Sequence, residues 1–413
     1  MATRSGEGGR RAQRRTGSET TAVVLDAALA TFAEDGVDRA TLPRVAERAG
    51  TSIGPLYTRF DGTDDLVGAL WGPQLRPTLE RLLDQLTAWV TTEDATAGGA
   101  LRRELTRPSV AVQATLEVLA TIRRYPYSAD TVVADATAAY HAYLDAVAPV
   151  PPAAAGYVLG ALSGNVLLRP LLSPRARSDP DRLLRVARNL AHHAEHRDIT
   201  TDLRLTLSMP AITGNGAVPD AFLNAALEVI ARGGFEHASS NRIARAAGLS
   251  VSRVYRHFDS KHDLAARALT ATINRIVGDN ALAFVGVDRA TYEQMVLAAG
   301  RALCDPASVP VRRLRLECVL AARHHPEIHA EVRRAFDRAE RTVTDRFRAL
   351  APSGSDDALD SARSVWHLVR NFGFGVLAID EATRALGPEL DVTPLAVALP
   401  CVYEQHITAP LGA

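Results

Sequence analysis

Histidine recurs at metal-ligand spacing twice in this 413-residue chain, as His192, His193 and His196 and again as His324, His325 and His329. Imidazoles three or four apart on a helix can share a zinc ion, but hydrolytic sites of that kind carry a carboxylate base, as in HExxH, and neither cluster has one. Both clusters fall near expected helix ends, where an imidazolium complements the helix dipole, and that is the preferred reading. Cys304, Cys318 and Cys401 are an odd number at wide spacing. They fit neither a disulfide framework nor a CxxC metal site and point to a reducing, cytoplasmic setting. No catalytic residue, metal or cofactor is assigned from either residue type.

The donor-rich residues that do repeat lie in residues 41–66, TLPRVAERAGTSIGPLYTRFDGTDDL. Sliding the chain along itself until Thr41 meets Ser239 lays this stretch, without a gap, on residues 239–264, SSNRIARAAGLSVSRVYRHFDSKHDL. Two helices must position those side chains. Thr41 or Ser239 is placed to cap the first, and Pro43 fits its opening turn, where a missing N–H costs nothing. Leu42, Val45, Ala46 and Ala49, matched by Ile243, Ala244 and Ala247, recur three and four apart and define one buried face. Gly50 and Gly248 end the helix, since glycine enters the left-handed conformation without a Cβ penalty. Ser52 or Ser250 then starts a second helix, with Ile53, Leu56, Tyr57 and Phe60, or Val251, Val254, Tyr255 and Phe258, spaced to pack on the first. Its other face stays polar. Two short helices joined by a Gly-containing turn form a helix-turn-helix, whose second helix can enter the major groove of DNA.

After a preceding helix, the pattern A-x-x-A-G-x-S-x-x-x-x-Y-x-x-F-x-(S)-K-x-x-L resembles the DNA-binding domain of TetR-family transcriptional regulators over residues 23–70 and 221–269. The resemblance implies an all-α protein whose second motif helix reads an operator and whose C-terminal helices bind an inducer and dimerise. Carried over position by position, it implies base reading by Gly54, Pro55, Thr58 and Arg59 in the first copy and by Ser252, Arg253, Arg256 and His257 in the second. It also implies phosphate contacts by the hydroxyls of Tyr57 and Tyr255. Arginine binds guanine O6 and N7 bidentately, so the second set has the greater reading capacity. Gly54 and Pro55 offer no side-chain donor. Thr63 stands where the family pattern has a phosphate-binding lysine, a place held in the second copy by Lys261, the chain's single lysine.

At about 100–200 residues per domain, the length allows two to four domains, and two similar halves fit both the arithmetic and the repeat. Lys and Arg total 47, as do Asp and Glu, so the net charge is zero and any DNA affinity must come from local clusters. No run reaches about 18 uncharged apolar residues, so no membrane span is expected. Residues 1–17 carry Arg4, Arg10, Arg11, Arg14 and Arg15 among Gly and Ser, and are expected to be a disordered basic arm able to touch phosphates or a minor groove.

The expected domains are a first helix-turn-helix domain at 18–72 and a first helical regulatory domain at 73–198. A linker follows at 199–217, then a second helix-turn-helix domain at 218–270 and a second regulatory domain at 271–413. A supporting helix is expected at 19–34. A long helix at 64–90 should bend or break at Pro73 and Pro77. Further helices are expected at 110–125, 129–147, 153–171 and 181–196, and in the second half at 222–232, 263–283, 292–303, 311–324, 327–350, 358–382 and 392–405. The repeat extends beyond the motif, with RRYP at 123–126 answered by RHHP at 323–326. By the family resemblance, helices 153–171 and 181–196 would form a four-helix bundle with 358–382 and 392–405 inside one chain, a covalent pseudo-dimer.

The function expected is therefore a sequence-specific, ligand-responsive repressor with two unlike reading heads. Its partners would be an asymmetric double-stranded operator and a small-molecule effector, with a homodimer as the alternative assembly to the pseudo-dimer. The rival is a helical enzyme or ligand-binding protein with relic helix-turn-helices and the histidine clusters at its active site.

Overall fold

The structure is a computed structural model that describes residues 17–92, 94–275, 287–350 and 355–405, with side chains from residue 21 onward. The expected basic arm up to residue 16 and the last part, 276–283, of the helix expected at 263–283 lie outside the described residues. Among the described residues every regular element is a helix. In the first half these are α1 (Gly17–Asp35), α2 (Leu42–Ala49), α3 (Gly54–Tyr57), α4 (Thr63–Leu70), α5 (Arg76–Thr92), α6 (Ala95–Thr106), α7 (Val110–Thr121), α8 (Pro126–Ala146), α9 (Pro152–Leu168) and α10 (Pro180–His193). The second half repeats the plan with α11 (Ala217–Gly233), α12 (Ser240–Ala246), α13 (Val251–Val254), α14 (Lys261–Ile273), α15 (Arg289–Cys304), α16 (Val309–Ala322), α17 (Pro326–Leu350), α18 (Asp356–Thr383) and α19 (Thr393–Tyr403). No helix of the described residues is long and apolar enough to cross a membrane.

Side-chain caps set several of the starts. Asp94 accepts from the backbone N–H of Thr96 and Ala97, Asp179 from Arg182, Asp288 from Thr291 and Ser355 from Ala358. The Asp94 cap begins α6, a helix absent from the sequence expectation because Gly98 and Gly99 weaken its propensity. Gly98 is needed there, since a Cβ would lie 2.9 Å from the Trp89 ring. The break expected at Pro73 does not occur. A π-type turn, Trp71–Leu75, carries α4 into α5 without interruption, its wider ring absorbing the proline.

The two halves meet through their C-terminal helices. α9 is apolar and buried nearly all round, as a helix at the centre of a bundle must be, and it packs along α18 while α10 packs on α18 and α19. Glycine makes the α9–α18 approach close. A Cβ at Gly375 would lie 1.9 Å from the Gly160 carbonyl oxygen, and one at Gly164 would lie 1.8 Å from that of Asn371. Beside this crossing the rings of Tyr157 and Phe372 stack at 3.8 Å.

Residues 194–216 join the halves with neither helix nor strand, and LRLTLS pairs with nothing. The segment is nonetheless attached. Asn224 of α11 holds Ile212 by both backbone groups at 2.8 Å, and Leu205 and Leu207 help wall a cavity lined by residues of both halves.

Candidate nucleic-acid interface

Each head is built on three helices whose apolar faces meet. In the first, Val24, Phe32, Val45, Ala46, Leu56 and Phe60 are buried together; in the second, Phe222, Ile230, Ile243, Val254 and Phe258 are. Gly50 and Gly248 turn the chain at φ 62° and 66°, the left-handed region expected of them. The heads sit on the helices behind them, α1 against α7 and α11 against α16.

The capping expectations hold only in part. Ser239 accepts from the Arg242 N–H at 3.3 Å, but the Thr41 side chain makes no capping bond. Pro43 occupies one of the two positions whose N–H a cap could accept from. Ser52 does not cap either. The cap position of α3 falls to Ile53, and the third residue after Ser52 is Pro55, which has no N–H. Ser250 does occupy the cap position of α13, yet its hydroxyl lies 3.1 Å from that of Ser252 rather than on the backbone.

Ile53 and Tyr57 were expected to pack on α2 and do not. Ile53 is 36% exposed, Tyr57 57% and Tyr255 58%, so both tyrosines stand on the outer surface of their heads. The Tyr255 hydroxyl is 3.1 Å from that of Ser240, in the first turn of α12. A four-residue helix has too little periodicity to distinguish a buried flank from an exposed one.

Gly54, Pro55, Thr58 and Arg59 are all exposed in the first head, and Ser252, Arg253, Arg256 and His257 in the second. The two heads differ in what they offer. Thr58 donates to the Pro55 carbonyl at 2.8 Å and the Arg59 guanidinium donates to the Thr21 hydroxyl of α1, so both side chains are engaged within the head. Thr63 donates to the Ala40 carbonyl at 3.0 Å. Nearby, Arg44 and Arg48 pair with Asp35 and Glu34 at 2.7 and 2.6 Å. In the second head Arg253, Arg256 and Lys261 are exposed and form no ion pair among the described residues. Exposed cations without a carboxylate partner are chemically able to meet phosphates and guanine edges.

Below the heads the two halves exchange charged side chains. Arg323 of the second half pairs with Glu117 of the first and donates to the Ala33 carbonyl at 3.0 Å. Arg124 of the first pairs with Glu317 of the second and with Asp38. Arg39 of the first half donates to the His324 carbonyl at 3.3 Å and lies 3.9 Å from Glu236, which His325 meets at 2.8 Å within the second half. The RRYP and RHHP repeats thus supply a crossed pair of contacts between the halves. Burial opposes ionisation of Asp38, but the bond to His237, the Arg124 charge and the Tyr125 hydroxyl outweigh it and hold the carboxyl at about 2. Burial, reinforced by Arg323 and Arg39, lowers His324 to about 4. Buried Glu117 is raised, because desolvation and Asp38 exceed the help of Arg323 and Arg124.

The histidines of the first cluster also have structural partners. His193 is 2.7 Å from Gln405 and His196 3.1 Å from Asp391, so both tie α10 and its extension to the α19 region.

The structure also holds a largely apolar cavity of about 330 Å³ between α15, α16, α18 and the α8–α9 corner. Its lining includes Tyr157, Arg315, Trp366 and Phe372. The local signals available were the aromatics Tyr157, Trp366 and Phe372 and Arg315, set between apolar Leu314 and Leu316.

Residues 24–70 and residues 222–268 each match the family model described as bacterial regulatory proteins, tetR family. Comparison with curated proteins gives no match.

Proposed function

We propose that the chain is a tandem TetR-family DNA-binding regulator, two helix-turn-helix domains in one polypeptide, and a ligand-responsive repressor whose unlike heads read the two halves of one operator. The units run over 18–198 and 218–413, joined by 199–217, with DNA-binding domains at 18–72 and 218–270. The observation that carries this reading is the packing of α9 and α10 on α18 and α19 within the chain. The helices through which family subunits pair are covered from within, so one chain presents two heads as a pseudo-dimer. Those heads share no side chain at the four carried-over reading positions, which favours an operator with two dissimilar halves. Ligand response is supported by the cavity, whose size and apolar lining suit a small organic molecule.

The reading is tested by selecting bound fragments from genomic DNA and titrating salt. Real phosphate contacts displace counterions, so log K should fall linearly with log salt, with a slope of about −0.9 for each phosphate neutralised. Binding insensitive to salt, or no enrichment of any sequence, would overturn it.

A further inference from the structure

The cavity against α18 has a chemical bias. Its body is hydrocarbon, with Met295, Val296, Leu303, Val369, Val376 and Leu395 among the lining residues, and its charged lining consists of Arg315 and Arg370, with no carboxylate. Arg370 is engaged elsewhere. It donates to the Ala176 carbonyl at 2.7 Å and lies 3.7 Å from Glu340. Arg315 has no carboxylate partner among the described residues; its guanidinium stacks over the Phe374 ring at 4.4 Å, and its buried Nε has no acceptor. Burial lowers Arg315 to about 10, which still leaves it a cation at neutral pH.

Two more donors share the defect. The Tyr157 hydroxyl and the Trp366 indole N–H are buried without a hydrogen-bond partner, and both residues line the same cavity. Buried polar groups are normally paired, and a buried charge without a counter-ion is strongly disfavoured. Three donors, one of them cationic, facing a hydrocarbon chamber without a carboxylate are complementary to one kind of molecule.

We propose that the cavity binds an amphipathic organic anion, an apolar body bearing a single carboxylate-type group that pairs with Arg315 and accepts from Tyr157 and Trp366. This deepens the ligand-responsive reading and rests on it only for the consequence of binding. The site is also particular to the tandem chain. Tyr157 comes from the first half, Arg315 and Trp366 from the second, and Leu205 and Leu207 from the connection between them.

The test uses the full chain without DNA and three ten-carbon probes, decanoate, decanol and decylamine, titrated by calorimetry below their micelle concentrations. Decanoate should bind at least about tenfold more tightly than decanol, the equivalent of one charge-assisted hydrogen bond, and decylamine more weakly than either. Arg315→Gln should abolish the advantage of decanoate while leaving decanol unchanged. Tyr157→Phe, which removes only an unpaired hydroxyl and keeps the fold, should weaken decanoate about threefold. Equal binding of decanoate and decanol, binding by none of the three, or indifference of decanoate to both substitutions overturns the assignment. A separate DNA-retention assay then distinguishes the two claims. Decanoate that binds as described without releasing DNA upholds the ligand class and refutes effector control.

Discussion

Replacing Gly375 by alanine places one methyl group where α18 crosses α9, and the structure sets what must follow. The new Cβ would lie 1.9 Å from the Gly160 carbonyl oxygen, 2.2 Å from the Gly164 nitrogen and 2.8 Å from the Gly164 Cα. All three are backbone atoms of a buried helix, so no side chain can swing aside. Ordinary contact begins near 3.4 Å, so the helices must part by roughly 1.5 Å. A gap of 0.5–1 Å already forfeits about a quarter to a half of each dispersion contact along an interface. Overpacking usually costs about 1–3 kcal/mol, and the rigidity of this crossing puts Gly375→Ala at about 3 kcal/mol. Gly99→Ala is the control. That residue lies inside α6, and beyond its own helix backbone and chain neighbours nothing lies within 4 Å of a built Cβ, so alanine should stabilise the chain by about 0.5–1 kcal/mol. Urea unfolding followed by circular dichroism reads both, with the midpoint falling in one variant and rising in the other. A Gly375→Ala midpoint at or above wild type would refute the close α9–α18 crossing.

Three further outcomes are expected. Ser239→Ala should lose about 1 kcal/mol with its capping bond, whereas Thr41→Ala, which breaks no such bond, should change the urea midpoint little. Stability should fall in acid in two windows, because folding lowers proton affinity in both kinds of group. Neutral buried His324 contributes above its ordinary 6.5 and loses that contribution as the pH drops toward about 4. Asp38 and Glu340, both held at about 2, contribute above their ordinary 3.8 and 4.5, and each loses about 2–3 kcal/mol as the pH falls through that range to about 2. An unfolding midpoint flat from pH 7 to 3 would contradict this. Arg253→Ala with Arg256→Ala should relax base preference in one half of the bound DNA by about 1–3 kcal/mol per lost contact and leave the other half intact, as read by competition with single-base variants. Equal loss in both halves would contradict it.

What the sequence revealed here was local. Gly50 and Gly248, the apolar spacing of Val45, Ala46, Ile243 and Ala244, and the repeat itself are signals carried within a few residues, and each has its expected place. Errors arose where a neighbour intervened. Pro43 and Pro55 each removed one of the N–H groups from which Thr41 and Ser52 could accept, and the shortness of α3 left Ile53 and Tyr57 outside. The break expected at Pro73 failed because a π-type turn accommodates it, and α6 was hidden by its glycines. The cavity was illegible for another reason. It exists only because residues distant in the chain, Tyr157, Leu205, Arg315 and Trp366, are brought to one chamber, and among 47 basic residues nothing local marked Arg315 as unpaired.

The central claim is that one chain reads one asymmetric operator with two unlike heads. Native mass spectrometry of the full chain on its selected DNA, combined with single-base substitution across the site, measures this directly. One chain per duplex, protecting two dissimilar half-sites centred about one helical turn apart, is the expected result. Two chains bound symmetrically to a perfect palindrome would contradict it.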